Sequence, residues 1–210
     1  MSEKNIPFET MRERYPMLSG CTENIEKSID IIVKSFASGG KLLLCGNGGS
    51  SADCDHISGE LLKGFLSQRP LSDADKATFS PYEGGTALAD SLQYGLPAIP
   101  LHAFSAASTA FGNDVDPMAF YAQMVMALGR PGDVLLGIST SGNAENVYKA
   151  VVAAKAKGLL TIGLTGKNPS RLSALCDVCI QVPETETYLV QELHLPVYHT
   201  ICAAVEDRAV

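Results

Sequence analysis

The chain has 210 residues, 46% of them hydrophobic, so it can bury a substantial core, and its length suits one domain, residues 1–210, better than two. Its net charge of −7 and isoelectric point near 5.1 offer no broad positive field, which argues against nucleic acid as a direct partner. The first residues are polar and no run reaches about 18 apolar residues, so we expect no membrane segment and a cytoplasmic protein.

Residues 1–37 predict a helical arm that precedes the rest of the fold. Apolar residues recur there at three- and four-residue spacing, and Gly39-Gly40 ends the run. Because a complete α/β unit follows, we expect the apolar face of the arm to pack against another subunit as well as against the sheet. The apolar positions are Ile25, Ile29, Ile32, Val33 and Phe36.

Short apolar runs then alternate with helical stretches. This alternation indicates right-handed crossovers and an α/β fold in which helices flank both faces of a central five-stranded parallel sheet. Strands are predicted at 42–45, 98–101, 134–138, 159–165 and 178–182, and helices near 50–65, 117–129, 142–157 and towards 207.

A long segment, residues 65–96, separates the first two predicted strands. It begins polar, contains Pro and Gly, and is predicted to end in a short helix near 86–94. Connections of this length are usually functional or mobile, so the segment is a candidate lid, and a plain surface insertion is an equally open interpretation.

Six cysteines are scattered along the chain, and we interpret them as small buried apolar residues. Only Cys176 and Cys179 form a C-x-x-C. Their surroundings predict a strand, in which positions three apart point to opposite faces and cannot share a metal ion, so we expect packing rather than a metal or redox role.

Two loops combine glycines, hydroxyls and the predicted start of a helix. After the first strand, Gly46, Gly48 and Gly49 bring bare backbone to a helix N-terminus, which favours an anion, although a tight turn without ligand remains open. After the third strand, Ser139 to Ser141 supply three hydroxyls, one of which could simply cap a helix. Both loops follow parallel strands, where open α/β sheets bind ligands.

Further side chains on two predicted helices are candidate metal ligands or acid/base groups. His56 and Glu60 are four residues apart on one helix face, a spacing that suits metal binding or a surface pair. On the last helix, Glu192 and His199 share a face and Gln191 lies to one side, within reach of the same cavity. A lone histidine in so apolar a helix is usually structural.

The segments KLLLCGNGGSSADCDHISGEL, GDVLLGISTSGN and QELHLPVYH resemble the sedoheptulose 7-phosphate isomerase (phosphoheptose isomerase) family of the sugar isomerase (SIS) fold. The similarity spans nearly the whole chain. It implies a SIS-type three-layer sandwich whose N-terminal helices serve oligomerisation, and a homotetramer with active sites between subunits.

The resemblance also implies roles for individual residues. Zinc, one per subunit, would be held by His56, Glu60, Gln191 and His199, and Glu60 and His199 would also be the acid/base pair. Phosphate and substrate would meet the two loops and the glutamine. The implied substrate-binding residues are Asn47, Gly48, Gly49, Ser50, Ser139, Thr140, Ser141 and Gln191.

Three departures from the family concern the substrate. Ala144 stands where relatives often have a serine, Tyr188 where they tend to have an aspartate, and a second aspartate is missing after Pro97. The predicted function is aldose–ketose isomerisation of a phosphorylated sugar, sedoheptulose 7-phosphate first. An isomerase or epimerase of another phosphosugar, and a non-enzymatic phosphosugar-binding or replication-initiator-associated protein, are the alternatives.

Overall fold

The computed structural model describes residues 6–209, and residues 1–5 of the predicted arm lie outside them. None of the helices within 6–209 combines the length and apolarity needed to cross a bilayer. The α-helices are α1 (Ile6–Arg14), α2 (Thr22–Ala37), α3 (Gly49–Leu62), α4 (Asp73–Ala77), α5 (Gly85–Ser91), α6 (Ser105–Asp114), α7 (Phe120–Leu128), α8 (Glu145–Ala156), α9 (Arg171–Leu175) and α10 (Thr187–Ala209).

Five parallel strands form the sheet, which confirms the predicted fold class. They are β1 (Leu42–Cys45), β2 (Ala98–Pro100), β3 (Val134–Ile138), β4 (Leu160–Thr165) and β5 (Val178–Gln181), in the order β2-β1-β3-β4-β5. β1 and β3 are neighbours, with Cys45 paired to Gly137. The loops that follow these two strands therefore emerge side by side at one edge of the sheet.

Each face of the sheet carries its own hydrophobic core. Leu42 and Leu44 of β1 pack with the helices α2, α3 and α10, whereas Leu43 and Cys45 pack with α7 and α8. This division follows from the two-residue period of a strand, which sends alternate side chains to opposite faces. The result is the three-layer arrangement that the alternating pattern predicts.

The described part of the N-terminal arm packs on its own subunit through α2. Ile25 and Ile29 of α2 are fully buried, and the helix contacts α10 and β5. The prediction that the apolar face of the arm packs against the sheet is therefore confirmed for α2. Contact of the arm with another subunit stays a prediction.

The 65–96 segment has secondary structure of its own. It contains α4 and α5, and an isolated antiparallel bridge between Pro70 and Gln93 closes its base. The Gln93 side chain also accepts a hydrogen bond from the backbone N–H of Gly64 at 2.9 Å. Its role as a lid stays a prediction.

A buried carboxylate on α10 anchors the start of this segment. Glu206 accepts hydrogen bonds from the backbone N–H groups of Phe65, Leu66 and Ser67 at 2.8, 2.8 and 3.0 Å. The buried guanidinium of Arg69 lies 3.4 Å from the same carboxylate and donates to the carbonyl oxygen of Leu61. One charged pair inside the protein thus ties the segment to the last helix.

The prediction that Cys176 lies in a strand was wrong. It follows the last residue of α9, and only Cys179 belongs to β5. The two sulfur atoms lie on the same side of Gly163. A β-carbon placed on that glycine would be 3.0 Å from the Cys179 sulfur and 3.3 Å from the Cys176 sulfur. The argument from opposite strand faces therefore fails. Burial raises the pKa of both thiols, that of Cys176 to about 12, which suits packing.

Candidate active site

The glycine loop connects β1 to α3 through a backbone conformation that glycine favours. Gly48 has φ 55° and ψ −122°, in the left-handed half of conformational space. The loop is held from below by Tyr121, whose hydroxyl donates to the carbonyl oxygen of Gly46 at 2.5 Å. Asn47, Gly48 and Gly49 are exposed, and Ser50 is buried. The N–H groups of Ser50 and Ser51 donate to the carbonyl oxygens of Asn47 and Gly48 within this turn, and the exposed backbone of Asn47, Gly48 and Gly49 opens onto an accessible edge.

The serine loop lies next to the glycine loop and is fixed by backbone hydrogen bonds to β4. The Ser139 N–H donates to the carbonyl oxygen of Leu164, and the Gly166 N–H donates to that of Thr140, both at 3.0 Å. Ser139 is buried, Thr140 half-buried and Ser141 exposed. The exposure of the three hydroxyl-bearing residues therefore increases along the loop, away from the sheet.

A pair of asparagine side chains joins the two loops. Asn47 of the glycine loop and Asn146 of α8 exchange two amide hydrogen bonds, each 2.8 Å long. Asn146 was not among the predicted site residues, and its place three residues after Asn143 gave no signal of this contact. The pairing supports a single binding region formed by both loops.

Three of the four predicted metal ligands meet between α3 and α10. The Nε2 atom of His56 lies 3.2 Å from Oε1 of Glu60 and 3.4 Å from Nε2 of His199. The Glu60 side chain is only 16% exposed, whereas that of His56 is 42% exposed. Lys63 approaches the other Glu60 oxygen at 3.5 Å. The acid/base candidates are thus a shielded carboxylate and an imidazole that both contact one histidine.

His199 is set among aromatic rings. Its ring packs edge-on against those of His56 and Tyr198, with centroid distances of 4.9 and 5.1 Å, and lies 5.6 Å from that of Phe65. Burial, and then the neighbouring His56, lower the pKa of His199, while Glu60 acts in the opposite direction. His199 is therefore neutral at neutral pH, with one nitrogen able to donate and one able to accept.

The fourth predicted ligand, Gln191, lies at the other end of the contact between α3 and α10. Its side-chain amide packs against Gly49, so closely that a β-carbon on Gly49 would collide with it. This position places Gln191 beside the glycine loop. This position is compatible with the substrate-binding role that the family resemblance implies for this residue.

The donor set suits zinc, although it is not assembled around one point. Tetrahedral ligands at about 2.0–2.1 Å from zinc are about 3.3 Å apart, close to the two distances measured from His56 Nε2. Within residues 6–209, no three His, Cys, Asp or Glu side chains form a complete metal-binding group as they stand. Glu60 and His199 would have to turn towards a common centre.

Two residues that the sequence analysis did not identify support this cluster. The hydroxyl of Tyr198 contacts Nδ1 of His56 at 3.0 Å, and Asp53 lies beside the same hydroxyl. Burial raises the pKa of both Asp53 and Tyr198. Tyr198 falls in an apolar helical pattern, so periodicity alone could not separate it from the core.

A cavity of about 310 Å³ adjoins His199 and is lined by no residue of the glycine or serine loop. Its walls come from α1, from the start of the 65–96 segment and from α10, and include Tyr15, Phe65 and Leu195. The candidate site is therefore accessible next to the N-terminal helix.

The arrangement has the features of a protein that binds and transforms phosphorylated sugars on an α/β sheet, and comparisons with known proteins agree. A family model described as SIS domain matches residues 15–93 and 82–166. The phosphoheptose isomerase of Rhodospirillum rubrum is 37% identical over 199 residues, which cover 95% of this chain and 93% of the relative. The chain belongs to the phosphoheptose isomerase family of SIS-domain proteins.

Solved structures of the family have the same fold. A phosphoheptose isomerase from Neisseria gonorrhoeae superposes with a TM-score of 0.75 at 31% identity, covering 95% of this chain and 94% of that one. A phosphoheptose isomerase from Francisella tularensis gives a TM-score of 0.76 at 28% identity, covering 97% and 96%. The correspondence extends over nearly the full length of all three chains.

Proposed function

We propose that the protein is an aldose–ketose isomerase that interconverts sedoheptulose 7-phosphate and D-glycero-D-manno-heptose 7-phosphate. The observation that carries this proposal is that Glu60 and His199 both contact the His56 ring. His56 and Glu60 lie on α3, the helix that follows the glycine loop. A protein that only binds a phosphosugar needs the loops but has no use for a carboxylate and an imidazole beside them. Relatives named phosphoheptose isomerase support the choice of substrate.

In the proposed reaction, Glu60 removes the proton from the carbon next to the substrate carbonyl and returns it to the former carbonyl carbon. His199 moves a proton between the two neighbouring oxygens, so no proton or electron is gained or lost overall. The lowered pKa of His199 keeps it neutral for this exchange.

The phosphate group is proposed to lie across the glycine and serine loops. The exposed N–H groups of Asn47, Gly48 and Gly49 and the hydroxyls of Ser50, Ser139, Thr140 and Ser141 are neutral donors that suit a dianion without a cationic side chain. The two loops follow neighbouring strands, β1 and β3, which supports this role because it places their donors at the same edge of the sheet. Asn47 and Gln191 flank the same edge.

We also propose that zinc binds His56, Glu60 and His199, and that Gln191 becomes the fourth ligand by turning its amide away from Gly49. Zinc would polarise the substrate oxygens as a Lewis acid when bound. Imidazole nitrogens and a carboxylate are suitable donors for it, which supports the proposal. Elemental analysis of protein reconstituted with excess zinc tests it, with about one ion expected per chain.

Assembly as a homotetramer is proposed from the family resemblance. The cavity beside His199 is walled partly by α1, so a neighbouring subunit that covers this helix would border the site. Sedimentation at micromolar concentration should give four chains per particle, and a monomer would contradict the proposal.

The function is tested by incubating the protein with a panel of ketose phosphates and following aldose formation by NMR. Sedoheptulose 7-phosphate should be converted fastest. Faster conversion of fructose 6-phosphate or another shorter ketose would assign a different phosphosugar to the same chemistry. Lack of conversion of every phosphosugar by zinc-loaded protein would remove the isomerase assignment.

A further inference from the structure

The side-chain amides of Asn47 and Asn146 form a closed pair in which each donates to the other. Nδ2 of Asn47 donates to Oδ1 of Asn146, and Nδ2 of Asn146 donates to Oδ1 of Asn47, both at 2.8 Å. The backbone N–H of Val147, in the first turn of α8, also donates to Oδ1 of Asn146 at 3.0 Å. Because this atom faces two donors it must be the oxygen, and the orientation of both amides follows.

The pair leaves Asn47 able to bind a ligand. Its amide carries two N–H groups, and the bond to Asn146 uses one of them. The other makes no hydrogen bond within residues 6–209, and Asn47 is exposed at the edge of the sheet where the two loops emerge. The carbonyl oxygen of Asn47 accepts from the Ser50 N–H at 3.0 Å, so the backbone of this residue is held as well. One amide N–H is thus held in place at the accessible edge.

The other asparagine near the start of α8 is bonded differently. Asn143 donates to the carbonyl oxygen of Ser141 at 2.9 Å and accepts from the backbone N–H of Arg171 at 3.0 Å. Its amide is therefore committed to the serine loop and to α9. Asn146 is half-buried, and its amide bonds the glycine loop and its own helix. Asn146 therefore links α8 to the glycine loop through a side chain.

We propose that Asn146 is a positioning residue that holds the Asn47 side chain so that its second N–H donates to the substrate phosphate. This inference rests on the proposed phosphate site and names a residue that acts through Asn47 rather than on the substrate. An exposed amide that turns freely must be ordered when a ligand binds, and an amide already held in its bound orientation avoids that cost. Loss of the Asn146 side chain therefore weakens phosphate binding although no group that contacts the phosphate is removed.

The test measures the binding of inorganic phosphate to Asn47→Ala, Asn146→Ala and the double variant. Asn47→Ala removes a donor to a charged ligand and should raise the phosphate dissociation constant about 10-fold or more. Asn146→Ala should raise it about 3- to 10-fold. The double variant should stay within about 2-fold of Asn47→Ala, because Asn146 then has no side chain to position.

Asn24→Ala is the matched control. Asn24 is also half-buried, and its amide donates at 2.9 Å to the carbonyl oxygen of Cys179, which belongs to β5 rather than to either loop. This variant should keep the phosphate affinity of wild type. Urea unfolding shows whether each variant is folded. Asn146→Ser, which keeps a small polar side chain in the first turn of α8, takes the place of Asn146→Ala if that variant does not fold.

A second readout follows the amide pair by NMR in ¹⁵N-labelled protein, where the Asn47 side-chain signals are those lost in Asn47→Ala. These signals should move in Asn146→Ala, stay in place in Asn24→Ala, and move in wild type when inorganic phosphate is added. Failure of any of these three expectations would overturn the proposal.

The binding data can overturn the proposal independently. Wild-type phosphate affinity in Asn146→Ala, or separate losses that add in the double variant, would show that Asn146 does not act through Asn47. Lack of isomerisation of every phosphosugar would instead count against the proposed function and leave these readouts standing, because inorganic phosphate is the ligand in all of them.

Discussion

The side-chain amide of Gln191, on α10, lies directly against the backbone of Gly49 at the start of α3. The contact is close enough that any residue with a β-carbon at position 49 would displace the amide. Gln191, 142 positions later in the chain, can therefore occupy this position only because residue 49 has no side chain. This constraint sets where Gln191 can stand relative to the substrate.

Replacing Gly49 with alanine tests this constraint. Because the colliding group is the flexible end of Gln191, Gly49→Ala should change the free energy of unfolding by less than about 1 kcal/mol, while KM rises about 10-fold. Gly59→Ala on the same helix is the matched control, since a β-carbon there meets open space. Equal KM values in the two variants would show that Gln191 does not serve the substrate.

The serine loop should carry the phosphate. Each lost hydrogen bond to a charged group costs about 1.5–3 kcal/mol, so the double variant Ser139→Ala with Thr140→Ala should raise KM by about 10²-fold or more. The control is Thr109→Ala, which removes a hydroxyl bonded within α6. Steady-state kinetics and inhibition by inorganic phosphate measure the effect. Unchanged affinity for both ligands would place the phosphate elsewhere.

The anchor at Glu206 should matter for stability. Glu206→Ala would leave three backbone N–H groups without their acceptor and the buried Arg69 without its charged partner, at a cost of about 3–5 kcal/mol in chemical unfolding. Faster hydrogen exchange at residues 65–67 should accompany it. Glu26→Ala removes an exposed partner of Arg208 and should cost less than about 1 kcal/mol. A similar loss in both variants would contradict the anchor.

Stability should fall in mild acid because of His194. Its ring is fully buried, and within residues 6–209 neither nitrogen forms a well-shaped hydrogen bond. Burial lowers its pKa from 6.5 to about 4, so the unfolded chain binds the proton more readily than the folded one. Neutral His194 therefore contributes to the free energy of unfolding in full above pH 6.5. This contribution is lost as the pH falls towards 4, and the total loss is about 3 kcal/mol.

Urea unfolding of wild type and His194→Leu at several pH values isolates this contribution. His199, whose pKa is also lowered, acts in the same direction in both proteins and cancels in the difference. The variant should lose about 3 kcal/mol less than wild type between pH 7 and pH 4. If the free energy of unfolding falls equally with pH in the two proteins, His194 is not the titrating group.

The sheet could be predicted from the sequence because each strand is a short apolar run between turn residues. The helix α6 could not, since none of its residues is buried and no hydrophobic period marks it. The helix α9, with five residues, is shorter than the window in which helical periodicity is visible. Its presence is also why Cys176 was wrongly placed in a strand.

Without the family resemblance, individual side-chain contacts of the candidate site could be predicted only where spacing along one element determines proximity. His56 and Glu60 lie one helical turn apart, so their contact follows from the helix. The contacts of His56 with Tyr198 and of Asn47 with Asn146 join residues about 100 or more positions apart through the packing of separate elements. Periodicity carries no information about such pairs.

The most direct test of the account is proton transfer by Glu60. Zinc-loaded wild type in heavy water should introduce solvent deuterium at the carbon next to the carbonyl of sedoheptulose 7-phosphate. Glu60→Gln, with zinc content measured on the same sample, should lower kcat by about 10²–10⁴-fold and lower the exchange with it. Glu23→Gln, at an exposed position of α2, should match wild type. If Glu60→Gln retains its zinc and still introduces deuterium at the wild-type rate, Glu60 is not the base that removes the substrate proton.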